Sequence, residues 1–395
     1  MEVVPPIIEF TNKLYEQIVE KSHCKFTLIP VKNSDKWENV FFSPVNIYTS
    51  LGMVLFGSKC NTTTEMLTTM QLPVFSKYDT CHSEIHKLLY GFLKSAHGVE
   101  IFLANKLFAR EGLDVKPTYK GNLEKYYNAQ SENVTFNEDT RDQINKWVSE
   151  KTKGKIQQLL PPDFLTEDTS VVVIAITYFK GTWKTAFSQY HSNDSEFIML
   201  DGSRPNVRLM YIESSFEMVE LPQLNSRAVK IPFKDPKFSL LIVLPNKHDG
   251  LPNLLKLLYK THGISSILSS HFIKTEMYLY LPKFKLKEGN ALNLKSYLQE
   301  MGMKDAFCQG SADFTDICDS HNFCISNILH KAVLEVDEKG AEAAAATVTQ
   351  IIPLSLCIDE EVKMEFRIDH PFFIAIIWNN CLPMFIGHVI NPIEN

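Results

Sequence analysis

No apolar run in this chain is long enough to cross a bilayer. The longest, VVVIAITYF (171–179) and FFIAIIW (372–378), fall far short of the roughly 20 residues that a spanning helix needs. Both read as strands buried on two faces. No secretory leader is expected either: MEVVPPIIEF has no basic start, carries Glu2 and Glu9, and is broken by Pro5 and Pro6. Cytoplasmic residence is therefore expected, with unconventional release as the route to an extracellular role. Positive charge is not in excess, since the formal net charge is −6 and no basic run occurs, so nucleic acid and acidic membrane surfaces are not expected partners. The 8 cysteines contain no CxxC pair and no Cys/His metal spacing, which predicts no metal and mostly buried thiols. GxSxG, HExxH, Walker and GxGxxG motifs are absent and the 12 histidines are scattered, so neither a catalytic constellation nor a cofactor is expected.

What is present is a large globular chain. With 395 residues, 45% of them hydrophobic and 22% charged, it can bury a sizeable core, and disorder, collagen and coiled coil are excluded. No Pro/Ser-rich linker, repeat or composition break divides it, so one α+β domain over residues 1–395 is predicted. Apolar spacing from Ile7 to Val19 predicts an amphipathic first helix. FFSPVNIYTSLGMVLFG offers Ser43 as N-cap and Pro44 at the first helical position of a buried helix. INKWVSEKTKGKIQQLL reads as helix to about Thr152, with Gly154 as terminator. AVKIPF and FSLLIVLP form a predicted hairpin, TEMYLYLPKFKL a further extended segment, and FFIAIIWNNCLPMFIGHVINP two strands joined by an Asn-rich turn. The sequons at Asn61, Asn133 and Asn193 matter only in a secreted protein.

One stretch argues with itself. In VDEKGAEAAAATVTQIIPLS (336–355), Ala341 to Ala346 are good helix formers, whereas Thr347 to Ile352 are mostly β-branched and prefer strand. Taken with a period of two, Ala341, Ala343, Ala345, Thr347, Thr349 and Ile351 share one small, uncharged face, and Glu342 and Gln350 fall on the other. Only one face is fit for burial.

Several blocks, in order along nearly the whole chain, resemble the serpin family: NVFFSPVNIYTSLGMVLFG, INKWVSEKTKGKI, TYFKGTW, YLPKFKL, LHKAVLEVDEKGAEAAAA, DHPFF and PMFIGHVINP. The resemblance implies a fold of three β-sheets, eight or nine helices and an exposed reactive-centre loop at about 338–366. It also implies a suicide-substrate mechanism. A protease attacks the loop, and the cleaved loop inserts as a new strand in the central sheet before the acyl-enzyme is hydrolysed. The ambivalent stretch is then a segment that must live in two environments, with Glu338, Gly340, Ala341, Ala343, Ala345 and Thr347 as its hinge. Counting the family's spacing from Glu338 places the reactive bond at Leu354–Ser355. An apolar Leu354 suits the hydrophobic primary pocket of chymotrypsin, cathepsin G and elastases.

The resemblance further assigns Trp183, Lys283 and Glu338 to a gate at the top of the central sheet, with an ion pair between the last two. Ser43, Asn46 and His330 become a mid-sheet network. Ala175 stands where the family usually has Asn, and Asn46 where it more often has Ser, so Asn46 is expected to hydrogen-bond His330 in compensation. The segment Ser355 to Pro371 is longer than in short-looped members and carries Asp359, Glu360 and Glu361. The helix near 80–94 lacks a basic cluster, so no heparin site is expected. The expected partner is a target serine protease held as a covalent acyl complex by a monomeric inhibitor. The alternatives are a non-inhibitory carrier or chaperone and a cross-class inhibitor of papain-like proteases. The uncharged hinge face favours inhibition.

Overall fold

The computed structural model describes residues 2–24, 37–73, 78–94, 98–287, 291–320, 323–338 and 363–393. Two β-sheets and nine α-helices make up the fold among these residues. The six-stranded sheet runs in the order Phe284–Lys287, Ile325–Val336, Val171–Gly181, Val99–Arg110, Gln130–Val134, with Leu292–Asn293 also paired to Ile325–Val336. The nine-stranded sheet runs Val40–Phe42, Leu382–Val389, Phe372–Trp378, Phe238–Pro245, Ser226–Pro232, Asn206–Leu221, Ile273–Pro282, Met364–Arg367, and Ser188–Glu196 pairs with Asn206–Leu221. Asn206–Leu221 is long enough to pair with Ser188–Glu196 at one end and Ser226–Pro232 at the other. Two of the three sheets implied by the resemblance are thereby joined into one ladder.

Local chemistry explains most elements. The helix Pro44–Leu55 is buried at every position, and the Ser43 side chain caps it by accepting from the Asn46 N–H. Asn137 caps Glu138–Lys151 by accepting from the Thr140 N–H, and Gly154 at φ 77° follows that helix. The hairpin Ser226–Pro232/Phe238–Pro245 turns where Asp235 accepts from the Lys237 N–H at 3.0 Å. Asn379 and Asn380, at φ 49° and 56°, make the turn between Phe372–Trp378 and Leu382–Val389.

Two expectations need correction. TEMYLYLPKFKL is not one extended element: Ile273–Pro282 belongs to the nine-stranded sheet and Phe284–Lys287 to the six-stranded one. The Lys283 N–H makes a last bond to the nine-stranded sheet, at the Arg208 carbonyl at 2.8 Å, and the next residue, Phe284, pairs with Val336 of the six-stranded one. Among the described cysteines only Cys81 and Cys318 are buried, whereas Cys60, Cys308 and Cys381 are exposed.

The six-stranded sheet has apolar layers on both faces, which is why VVVIAITYF shows no alternation. Val172, Ile174, Ile176 and Tyr178 face Ile144 and Val148 of the helix Glu138–Lys151, together with Ile156, Leu159 and Leu160 after it. Val171, Val173 and Phe179 point into the main core instead. Among the described residues no helix is long and apolar enough to cross a membrane.

Candidate functional site

The site is a seam. Val171–Gly181 and Ile325–Val336 are direct neighbours in a parallel ladder, from Ile325 opposite Val171 to Leu334 opposite Phe179, with His330 opposite Ala175. A chain that leaves Val336 and folds back runs antiparallel to Ile325–Val336. Because the two strands are parallel, it runs antiparallel to Val171–Gly181 as well. A returning segment could therefore enter the seam and exchange one parallel ladder for two antiparallel ones, which are the more stable per residue.

Three contacts from two segments, the connection after Gly181 and Lys283, hold the chain where it leaves the sheet. The Trp183 indole N–H donates to the Asp337 carbonyl at 2.7 Å. The Phe187 N–H donates to the Glu338 carbonyl at 3.0 Å, and Lys283 Nζ donates to Glu338 Oε2 at 2.9 Å. Trp183 is fixed in turn by stacking on Phe233, with centroids 4.6 Å apart and planes at 11°, and by an edge contact with Phe187. Phe233 can lie there only because residue 181 is glycine: a Cβ on Gly181 would sit 2.4 Å from its ring. The structure thus brings Trp183, Lys283 and Glu338, the residues expected to form a gate, together at this end of the sheet. Lys283 is half-exposed, so its bridge contributes little stability, at most about 1 kcal/mol.

Just below the gate lies a charged cluster that sequence reasoning missed. Glu335 receives Lys285, Lys155 at 3.5 Å, Lys180 at 3.6 Å and the Tyr178 hydroxyl at 3.3 Å, and Lys180 also bridges to Asp337 at 2.9 Å. Burial alone would raise the Glu335 pKa, but the hydrogen bond from Lys285 and the charges of Lys285, Lys155 and Lys180 outweigh it and hold it below the usual value. Burial and the Glu335 charge push the Tyr178 hydroxyl up. The available signal was the period-two spacing of Glu335 and Asp337, whose charges had to be met on one face.

In the middle of the seam, Ser43 and Asn46 come together with His330, but not as expected. No hydrogen bond joins Asn46 to His330. The Asn46 amide donates to the Ile176 carbonyl at 3.0 Å and Thr177 Oγ1 at 2.7 Å, and Asn46 Oδ1 accepts from Asn105 at 2.8 Å. His330 Nε2 instead accepts the backbone N–H of Ser43 at 2.9 Å, while Ser43 Oγ donates to the Met384 carbonyl. The physical reason is the helix end. An N-cap N–H has no partner in its own helix, so Ser43 can serve Nε2 of the buried imidazole without a side-chain amide, while Nδ1 has no hydrogen-bond partner among the described residues. Burial lowers the His330 pKa to about 3 against weak opposition from the Ala175 backbone, so the ring is neutral.

Gly340, Ala341, Ala343, Ala345, Thr347, Leu354, Ser355 and Cys357 lie outside the described residues.

Comparison with known proteins gives one answer. The family model described as serpin (serine protease inhibitor) matches residues 23–392. The leukocyte elastase inhibitor of Xenopus laevis is 33% identical over 382 residues, covering 94% of this chain and 98% of that relative. Human serpin B4 is 32% identical over 384 residues, covering 93% and 97%. The crystal structure of Serpin48 from Tenebrio molitor superposes with a TM-score of 0.84 at 27% identity, covering 99% and 98% of the two chains. The closed seam, the gate above it and these matches together place this chain in the serpin family.

Proposed function

We propose that this serpin is a suicide-substrate inhibitor of chymotrypsin-like serine proteases, cleaved between Leu354 and Ser355 and acting by insertion of the cleaved segment between Ile325–Val336 and Val171–Gly181. The observation that carries the reading is the direct parallel pairing of those two strands, with Asp337 and Glu338 leading out of the end at which a returning strand must enter. The sequence from Ala341 to Ile351 has the small, uncharged face that such a strand would bury.

Insertion parts the parallel register, passes beneath the helix Glu138–Lys151, and adds two ladders. Roughly ten to twenty new hydrogen bonds at about 0.5–1.5 kcal/mol each give a drive on the order of 10 kcal/mol or more. That is enough to trap an acyl-enzyme if insertion outruns deacylation. Leu354 as the pocket residue fits enzymes with an apolar primary site, in keeping with a relative named for elastase inhibition. Pro353, one place upstream, disfavours papain-like proteases, which want a bulky apolar residue there.

The test is incubation with chymotrypsin, neutrophil elastase, cathepsin G, trypsin and papain, followed by denaturing electrophoresis and mass spectrometry of the released C-terminal peptide. A covalent complex with the chymotrypsin-like enzymes and a peptide beginning at Ser355 is expected. Cleavage without complex across the whole panel would replace inhibition by a carrier role.

A further inference from the structure

A second site lies away from the seam, where the nine-stranded sheet pairs Phe372–Trp378 antiparallel with Phe238–Pro245. This pairing sets the residues just before Phe372 beside those just after Pro245. His370 therefore meets the turn that carries His248, although 121 residues separate them in sequence. One ligand atom from each of His248, Asp369 and His370 lies within 4.8 Å of the others, and the two imidazole rings sit 4.9 Å apart.

The orientation of His370 decides what the cluster can do. Its Nε2–H donates to the Pro245 carbonyl at 2.8 Å, and that carbonyl can only accept. Nδ1 is therefore the ligating nitrogen, and it lies 2.8 Å from Asp369 Oδ1. A far N–H held by a backbone carbonyl is the usual support for a metal-bound histidine, and the other nitrogen here faces a carboxylate that can share the ion. Asp369 is anchored too: its carbonyl accepts the Ile198 N–H, and Arg367 lies 3.7 Å from Oδ2, leaving Oδ1 for the site. His370 is buried, Asp369 part-buried and His248 exposed at the mouth of a cleft lined by Met199, Asn246 and Asp249.

We infer that His248, Asp369 and His370 form a binding site for one divalent transition-metal ion of the zinc class, with its remaining position open to the cleft. Two imidazoles and one carboxylate are a donor set suited to zinc, cobalt or nickel rather than to magnesium or calcium. Metal–ligand bonds of about 2.0–2.2 Å at tetrahedral angles place ligand atoms roughly 3.3 Å apart. The Asp369–His370 pair must open by about half an ångström as the ion replaces the proton shared between them, and that proton is released to solvent. The His248 ring must close inward, and as an exposed side chain on a turn it is free to do so. The bound ion would tie the joint after Met364–Arg367 to the turn after Phe238–Pro245.

The experiment uses the full untagged chain, titrated calorimetrically with Zn2+ and followed with Co2+ by its visible absorption. Three proteins are compared: the unchanged chain, His248→Ala and, as a control for adventitious surface binding, His191→Ala. One equivalent of Zn2+ bound by the unchanged chain, with affinity at least tenfold lower in His248→Ala and unaltered in His191→Ala, is expected. Bound metal should also raise the thermal midpoint of the unchanged chain but not of His248→Ala. Equal binding by the unchanged chain and His248→Ala, or no binding by the unchanged chain at submillimolar Zn2+, would overturn the site and leave Asp369–His370 as an ion pair alone.

Discussion

Acid should loosen this protein in part through His330. The ring is fully buried and its Nε2 already accepts the Ser43 N–H, so protonation would set two donors against each other and bury a charge. Its folded-state pKa is lowered to about 3, whereas an unfolded chain titrates near 6.5. Below about 6.5 the unfolded chain therefore binds a proton that the folded one refuses. The contribution of the neutral ring is fully present above that pH and is lost as pH falls, at ~1.4 kcal/mol per unit, until the folded ring itself protonates near 3. By pH 5 the loss reaches about 2 kcal/mol, a sizeable fraction of the 5–15 kcal/mol typical of folded proteins. His330→Gln keeps an acceptor for Ser43 and cannot titrate. Urea midpoints at pH 7 and pH 5 should show the unchanged protein losing about 2 kcal/mol more than the variant on acidification. His82, whose pKa burial lowers to about 4, contributes equally to both and cancels. An identical pH dependence in the two proteins, or an imidazole signal for His330 titrating near pH 6.5 in the folded state, would refute the reasoning.

Three further outcomes are expected. Leu354→Arg should move inhibition from chymotrypsin to trypsin-like proteases, because a charged pocket floor then meets the loop; undiminished chymotrypsin inhibition would mean that the reactive bond lies elsewhere. Ala341→Arg should convert the inhibitor into a substrate, since an arginine on the face to be buried costs several kcal/mol at the start of insertion; a gel should show cleaved chain and no complex, with the native thermal midpoint nearly unchanged. Trp183→Phe removes the indole hydrogen bond to the part-buried Asp337 carbonyl and should cost about 1–1.5 kcal/mol, whereas Lys283→Ala, which cuts a half-exposed bridge, should cost less than about 1 kcal/mol; thermal denaturation in the reverse order would show that the ion pair, not the indole, matters more here.

Much of the architecture was legible because it depends on short-range chemistry. The Ser43–Pro44 helix start, the Asn379–Asn380 turn and the double-sided burial of VVVIAITYF each follow from a few adjacent residues and a period of two or 3.6. The gate was legible only through family resemblance, since nothing local links Trp183 or Lys283 to Glu338. The hydrogen-bond partners inside the seam were legible only in part: the resemblance grouped Ser43 with His330, but not with the Ser43 backbone N–H as the donor. Asn46 and His330 were expected to meet because their residue types are complementary, but a buried amide takes whichever carbonyl and hydroxyl the strand register offers. Here the register offered Ile176 and Thr177.

By itself the sequence determined the α+β class, the buried central strands, the helix caps, and a segment 341–351 with one face fit for a sheet and no charge on it. Tertiary structure alone decided that Ile325–Val336 lies directly against Val171–Gly181, that three lysines converge on Glu335, that Ser43 rather than Asn46 serves His330, and that His248 stands beside Asp369 and His370. Pattern and propensity act over a few residues along the chain, whereas strand order and register bring together groups a hundred or more residues apart. No local period encodes which of them will meet.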